Sequence, residues 1–239
     1  MFFGDYHTHT NYSDGRGSVE ENALAAKALG LREIAVTDHA FHVLSRKGEK
    51  YRRFLSECAA ASDKTGVRVI PGVEADIISL EGDLDVSESE MGEIEYLIAG
   101  FHKFAPPKSA SDFFKMYLVT YFNGLIPTSR RARERNTAAV ISAIDRYPIK
   151  VLTHLGHSLK VDVGAVARAC AQKGVLVEIN AKHLRDFQGA WRELKESGAR
   201  FIVSSDAHRP RDVGRLDAAL QRALEEGIPP ENIVNYSGD

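Results

Sequence analysis

Seven times along this chain a short apolar run gives way to a stretch with helical spacing, and no other feature limits the fold as strongly. The apolar runs fall at residues 2–6, 33–37, 67–74, 95–101, 150–153, 175–179 and 200–204. Helical patterns fill the gaps at 18–30, 48–65, 162–173, 190–197 and 212–226, with a further helix starting near Asn136. Ser18-Val19-Glu20-Glu21 has the form of a capping box, and Gly30 supplies the stop. Strands that alternate with helices pair in parallel, because each crossover returns the chain to the same end of the sheet. Pro71-Gly72 is expected to disturb the middle of the third strand, and residues 76–86 read as a small hairpin turning near Glu81-Gly82-Asp83. No composition break, internal repeat or low-complexity tract separates the units. The chain therefore reads as one domain over 1–239, with about 104–135 as an insertion or lid-like segment.

His7, His9, Asp14, His39, Glu74, His102, His154, Asp206 and His208 lie at or just past the ends of these runs, and they include six of the nine histidines. In a closed barrel of parallel strands the carboxyl ends converge on one face, whatever their separation in sequence. An open doubly wound sheet would gather its site at one switch point instead. Such residues after strands one, two, three, four, five and seven favour an α/β architecture: a distorted seven-stranded (β/α)7 TIM-like barrel with a metal site at the C-terminal ends of its strands. Imidazole and carboxylate are the ligands of hydrolytic zinc, manganese and iron sites, which points to a multinuclear metallohydrolase. His7 and His9, two apart on a strand, share one face. Chance alone supplies such a pair in roughly one chain in three of this size, so the weight rests on the recurrence at six strand ends. Glu74 emerges from an apolar run, where a carboxylate is costly unless paired. Bridging two cations would remove that cost.

Composition narrows the function by exclusion. Lys and Arg number 31 against 33 Asp and Glu, and the net charge of -2 gives no overall field toward nucleic acid or an anionic membrane. Cys58 and Cys170 lack CxxC spacing and read as reduced buried thiols, as expected of a cytoplasmic protein. The first residues enter a strand without the basic and long apolar regions of a signal peptide. The uncharged stretch 116–127 is too short for a bilayer span of about 20 residues, so no membrane partner is expected.

Several pieces, taken in order, resemble the PHP (polymerase and histidinol phosphatase) family over nearly the whole chain, and in particular its stand-alone bacterial phosphoesterases. They are Asp5-Tyr6-His7-Thr8-His9-Thr10-Asn11-Tyr12-Ser13-Asp14-Gly15, Thr37-Asp38-His39, Gly72-Val73-Glu74, His102, His154, Glu178-Ile179-Asn180 and Ser205-Asp206-Ala207-His208. The resemblance implies two to three divalent metal ions, Zn, Mn or Fe. Carried over by position, it implies His7, His9, Glu74 and Asp206 around the first, and Glu74, His102 and His154 around the second, with Glu74 bridging. Asp14, His39 and His208 would hold the third. Some family members carry histidine at the Asp14 position, which bears on the strength and metal preference of that third site. Catalytic roles fall to Glu74, His39, Asp206 and His208, around a metal-activated hydroxide that attacks phosphorus. Three divalent ions, three carboxylates and one hydroxide leave about two formal positive charges, matched to a phosphomonoester dianion.

Other residues are read by position. Asp5 and Asp38 are either partners that orient ligating imidazoles or ordinary surface carboxylates. Lys103, Lys182 and Arg209 follow the fourth, sixth and seventh strands and are candidates for phosphate binding. Arg130 and Arg131 join them as the start of a basic cluster with Arg133 and Arg135, placed ahead of the helix at Asn136 as a lid or as a solvated loop. His157 and His183 are candidates for substrate contact or leaving-group protonation, and His42 reads as an exposed loop residue. The aromatic stretch 113–122 reads as core, lid or dimer contact.

These features lead to hydrolysis of a small phosphorylated metabolite, histidinol phosphate among the candidates, with the oligomeric state left open. A phosphodiesterase or 3'-5' exonuclease acting on nucleic acid or nucleotides is the alternative within the same chemistry, disfavoured by charge. An amidohydrolase-like or TatD-like barrel lacks the third ligand group. A non-catalytic metal-binding scaffold would not need open coordination positions.

Overall fold

The apolar runs pair in strict chain order. In the computed structural model, which describes residues 1–44, 48–121, 128–185, 187 and 189–238, seven strands form one sheet: β1 (Gly4–Asp5), β2 (Glu33–His39), β3 (Arg68–Asp76), β4 (Tyr96–Gly100), β5 (Val151–Leu152), β6 (Leu176–Asn180) and β7 (Phe201–Ser204). Every neighbouring pair is parallel, in the order β1-β2-β3-β4-β5-β6-β7. The helices are α1 (Val19–Ala28), α2 (Ala40–Val43), α3 (Glu49–Thr65), α4 (Glu88–Met91), α5 (Ala110–Asp112), α6 (Leu118–Tyr121), α7 (Arg130–Arg146), α8 (Val163–Lys173), α9 (Trp191–Glu196) and α10 (Asp217–Glu225). A π-helical turn, Phe113–Tyr117, sits between α5 and α6. The capping box at Ser18 forms as the sequence indicates.

The alternation of side chains along the strands sets two layers inside the barrel. Tyr6, Ala35, Ile70, Ile98, Val151 and Ile202 make an apolar plug at the amino ends. Two and four residues further on, the same inward parity brings Thr37 and His39, Gly72 and Glu74, Gly100 and His102, and Ser204 and Asp206 to the carboxyl ends. The opposite parity, such as Val36, Val73, Leu97, Ile179 and Val203, packs under the helices in the main core.

The β1–β7 seam is the weak side. One parallel bridge, Thr8 with Ala207, closes it near the site, where the His9 N–H donates to Ala207 O at 2.7 Å. Lower down, the C-terminal segment fills the gap, through bridges of Phe2 with Tyr236 and Phe201 with Ile233. The fully buried Asn235 carries this closure: the Val203 N–H donates to its Oδ1 at 3.1 Å, and its Nδ2 donates to Gly4 O at 3.0 Å and Val203 O at 2.7 Å.

Several expectations change. Pro71 does not interrupt β3. It pairs with Val36 of β2, and the register with β4 begins only at Gly72, so no neighbour on the β4 side asks for the missing N–H. The expected helix at Asn136 begins six residues earlier, capped by Ser129, so Arg130, Arg131, Arg133 and Arg135 are helical rather than a loop ahead of the helix. The last helical pattern splits into a 3-10 turn at Pro210–Asp212 and α10. The hairpin at 76–86 holds one bridge, Ile77 with Leu84. In the aromatic stretch Met116 and Tyr117 are buried and Phe114 is exposed. Phe122 and the residues through Pro127 lie outside the described residues.

Candidate metal centre

Nine side chains from six strand ends meet at the carboxyl face. Glu74, on inward-facing β3, is 1% exposed and lies among five imidazoles. Its Oε2 stands 3.3 Å from His7 Nε2, 3.4 Å from His9 Nε2 and 3.2 Å from His39 Nδ1. Its Oε1 faces the other way, 3.0 Å from His154 Nε2 and 3.7 Å from His102 Nε2. Asp206 Oδ1 lies 3.6 Å from His9 Nε2 and 3.2 Å from His208 Nδ1. Asp14, in the loop after β1, reaches His208 Nε2 at 3.1 Å and His39 Nε2 at 3.8 Å. Three overlapping groups emerge whose ligand atoms lie within 4.8 Å of one another: His9, Asp14, His39 and His208; His7, His9 and Asp206; and His39, Glu74 and His102.

Backbone strain collects at two of these positions. His154 (φ 29°) and Asp206 (φ 52°) are the non-glycine residues with positive φ among the described residues. Each costs about 1–3 kcal/mol, which the surroundings must hold in place. At His154 the strain has a geometric reason: Val151 faces the barrel interior and Leu152 the outer core, so simple alternation would send His154 outward. The left-handed backbone turns its ring onto Glu74. Gly100, on the adjacent strand, leaves room for that ring, since a methyl there would overlap Thr153 Oγ1 and His154 Cε1.

The groups that orient the imidazoles are not those expected. Glu178, wholly buried on β6, accepts from His7 Nδ1 at 2.7 Å and from the His154 N–H at 2.8 Å. Asp76 holds His102 Nδ1 at 2.7 Å. Asp5 instead accepts from Ser205 N at 3.0 Å and Gly214 N at 2.8 Å, across the seam. Asp38 accepts from Thr10 N at 2.9 Å and from the hydroxyls of Thr10 and Ser13, shaping the loop that carries Asp14. The missed signal was parity: Asp76 and Glu178 share the inward face of their strands with Glu74 and Asn180.

The charge balance fits cations. Burial disfavours the Glu74 carboxylate, yet His7, His102 and His39 hold its pKa well below the carboxylate range. Asp206 follows the same pattern, with His7 and His208 outweighing burial. Burial opposes protonation of His7, but Glu74, Glu178 and Asp206 raise its pKa well above 6.5. His102 is pushed up to about 9 and His208 to about 10 by their carboxylates, against burial. His9 is driven well down by burial and by the neighbouring His39 and His7. Glu74 Oε2 and His39 Nδ1 are buried without a hydrogen-bond partner. Ionised carboxylates surrounded by converging imidazole nitrogens, with a carboxylate oxygen left unbonded, are the donor set that divalent ions satisfy by displacing protons.

The ligand cluster floors a cavity of about 280 Å³. Lys103, Lys182, His157 and His183 line it with the ligand side chains, and Lys182 Nζ donates to Asp206 Oδ1 at 3.3 Å. Arg209, Arg130 and Arg131 do not line it. Arg130 points to solvent, 93% exposed, and pairs with Glu134 at 2.7 Å. His42 is exposed, on α2.

The PHP domain family matches residues 5–182. This chain belongs to the PHP family. It is 28% identical to a probable phosphatase of Acetivibrio thermocellus, over 99% of this chain and 92% of that one. It is 29% identical to a probable phosphatase of Caldanaerobacter subterraneus, over 98% and 87%. Its fold matches the histidinol phosphate phosphatase of Lactococcus lactis, solved with Zn, L-histidinol and phosphate, with a TM-score of 0.63, 17% identity and coverage of 95% and 94%. The PHP barrel expected from the sequence is thus the observed fold, and the chain is a PHP-family phosphoesterase. Among the described residues no helix is long and apolar enough to cross a membrane.

Proposed function

We propose that this PHP protein hydrolyses small phosphomonoesters at a site for three divalent ions of Zn, Mn or Fe. The observation that carries the reading is Glu74, whose two oxygens face two different sets of imidazoles while one of them lacks any hydrogen bond. His7, His9, Glu74 and Asp206 would hold the first ion, Glu74, His102 and His154 the second, and Asp14, His39 and His208 the third. When bound, such ions acidify water to supply a nucleophile near neutral pH and neutralise charge on the transferring phosphoryl group.

The chain's own residues do the rest. Glu178 fixes the His7 tautomer so that Nε2 faces Glu74 and Asp206, and Asp76 does the same for His102. His208 Nδ1 lies 2.9 Å from Asp206 O and 2.7 Å from Lys182 Nζ, and its Nε2 is directed at Asp14. Lys103 and Lys182 place positive charge on the cavity wall for phosphate oxygens. His157 and His183 line the same cavity and are candidates to protonate a leaving-group oxygen. The relatives named probable phosphatases support this reading, and histidinol phosphate is one substrate to test.

The test is phosphate release from a panel of phosphomonoesters and phosphodiesters, with metals stripped and then added back. Metal-dependent release from monoesters is expected. Cleavage of diesters or oligonucleotides alone would replace the reading with a nuclease, and no turnover with any metal would leave a scaffold.

A further inference from the structure

Among the described residues, six side chains outside the candidate ligand set also line the cavity: Lys103 and Phe104 after β4, His157 and Ser158 after β5, and Lys182 and His183 after β6. Phe104 is 80% exposed, and Lys103 Nζ lies 5.2 Å from its ring centroid. The turn in which the Ala105 N–H donates to His102 O at 3.1 Å holds this pair directly behind a candidate ligand. The His157 and His183 rings lie 3.7 Å apart, inclined by 43°. Both grow from backbone tied to the site, through the His157 N–H to His154 O at 3.0 Å and the His183 N–H to Asn180 O at 3.1 Å.

The wall is as informative for the charge it lacks. Among the described residues, its carboxylates are Asp14, Glu74 and Asp206, and each stands in a group able to hold an ion. Among the described residues no other acidic group lines the wall to accept an ammonium from a bound substrate, and Lys103 and Lys182 add positive charge there. An interface discriminates as much by groups it leaves unpaired as by those it satisfies. Exposed rings at the rim of a polar cavity offer π faces on which a planar group can stack.

We propose that the preferred phosphomonoester has a planar leaving group without positive charge, seated against Phe104 and the His157–His183 pair. This rests on the phosphatase reading above. The leaving group of histidinol phosphate is planar in part but carries an ammonium, for which the described residues of this wall offer no carboxylate outside the candidate ligand groups. Nucleosides and simple phenols share the required chemistry.

Steady-state kinetics of the full-length, metal-loaded protein separate the cases, with adenosine 5′-monophosphate, phenyl phosphate, glycerol 1-phosphate and histidinol phosphate as probes. Lower KM for the first two than for the last two is expected, and the order of the first two tells a nucleoside from a simple aryl group. Phe104→Ala should lower the kcat/KM ratio of adenosine monophosphate over glycerol phosphate about 5- to 150-fold, the range expected for one stacked base. Ser158→Asp, which adds a carboxylate to the wall, should raise the ratio of histidinol phosphate over glycerol phosphate. Preference of the unaltered protein for histidinol phosphate, or an equal fall on all four compounds in Phe104→Ala, overturns the proposal. Silence on all four overturns the phosphatase reading, and this proposal with it.

Discussion

Replacing Asn235 by alanine should unlock the barrel at its β1–β7 seam. The side chain is fully buried and satisfies three backbone groups at once: the Val203 N–H at 3.1 Å, Val203 O at 2.7 Å and Gly4 O at 3.0 Å. Truncation leaves all three without that partner in a site that water does not reach. A buried polar group left unsatisfied costs about 1–3 kcal/mol, and the two carbonyls fall at the low end because each retains a second lone pair. The total is about 3–5 kcal/mol, a large share of the 5–15 kcal/mol typical of a whole domain. At about 2–4 °C per kcal/mol for a chain of this length, the melting temperature should fall by roughly 6–20 °C. The assay is urea and thermal unfolding in chelator, so that metal binding does not mask the loss. Asn235→Asp should be at least as damaging, since it retains the acceptor for Val203 but sets a carboxylate against two carbonyl oxygens. An alanine variant within about 0.5 kcal/mol of the parent would refute the claim that this amide closes the seam.

Other perturbations separate site from scaffold. Glu178→Gln keeps the size but weakens the acceptor for His7 and His154, and should cost about 10–100-fold in metal affinity by chelator competition; unchanged affinity would remove Glu178 as the orienting group. Gly100→Ala drives a methyl into His154 and should cut metal-dependent activity at least tenfold, an effect that a fully active variant would contradict. Asp85 is raised to about 7, by burial first and then by the Asp76 carboxylate. Its folded pKa exceeds the unfolded value of 3.8, so its contribution to stability is present below about pH 4 and lost as pH rises through 7. Asp85→Asn should flatten that decline, by up to about 4 kcal/mol, in melts across pH 4–8, and an unaltered slope would exclude Asp85 as its source. Adding a divalent ion at about 100 times its Kd to the stripped protein should stabilise it by about 2.7 kcal/mol, read as a rise in melting temperature; a flat response to zinc, manganese and iron would dismiss the cluster as a metal site.

The candidate ligands stood out in the sequence because a barrel converts strand order into proximity. Six apolar runs that each end in histidine or a carboxylate need only parallel pairing to meet. Which acid supports which imidazole was not legible, because that depends on the closure of the barrel. Asp5 and Asp38 neighbour His7 and His39 in sequence, yet they face the seam and the Asp14 loop, while Glu178 reaches His7 across 171 positions. Asn235 gave no signal, since an asparagine near a C-terminus looks like any surface turn until the gap it fills exists. The arginines after Ser129 misled for a local reason: a basic first turn opposes the helix dipole, and here Glu134 pairs with Arg130 while Arg135 reaches Lys115 O. His154 shows the limit most clearly. Strand alternation would turn it away from Glu74, and only a backbone conformation of high cost, held by the Glu178 carboxylate on its N–H and by the space at Gly100, brings it in. Strain of that kind collects at functional sites, so the positive φ at His154 and at Asp206 points to the candidate site independently of the histidine count.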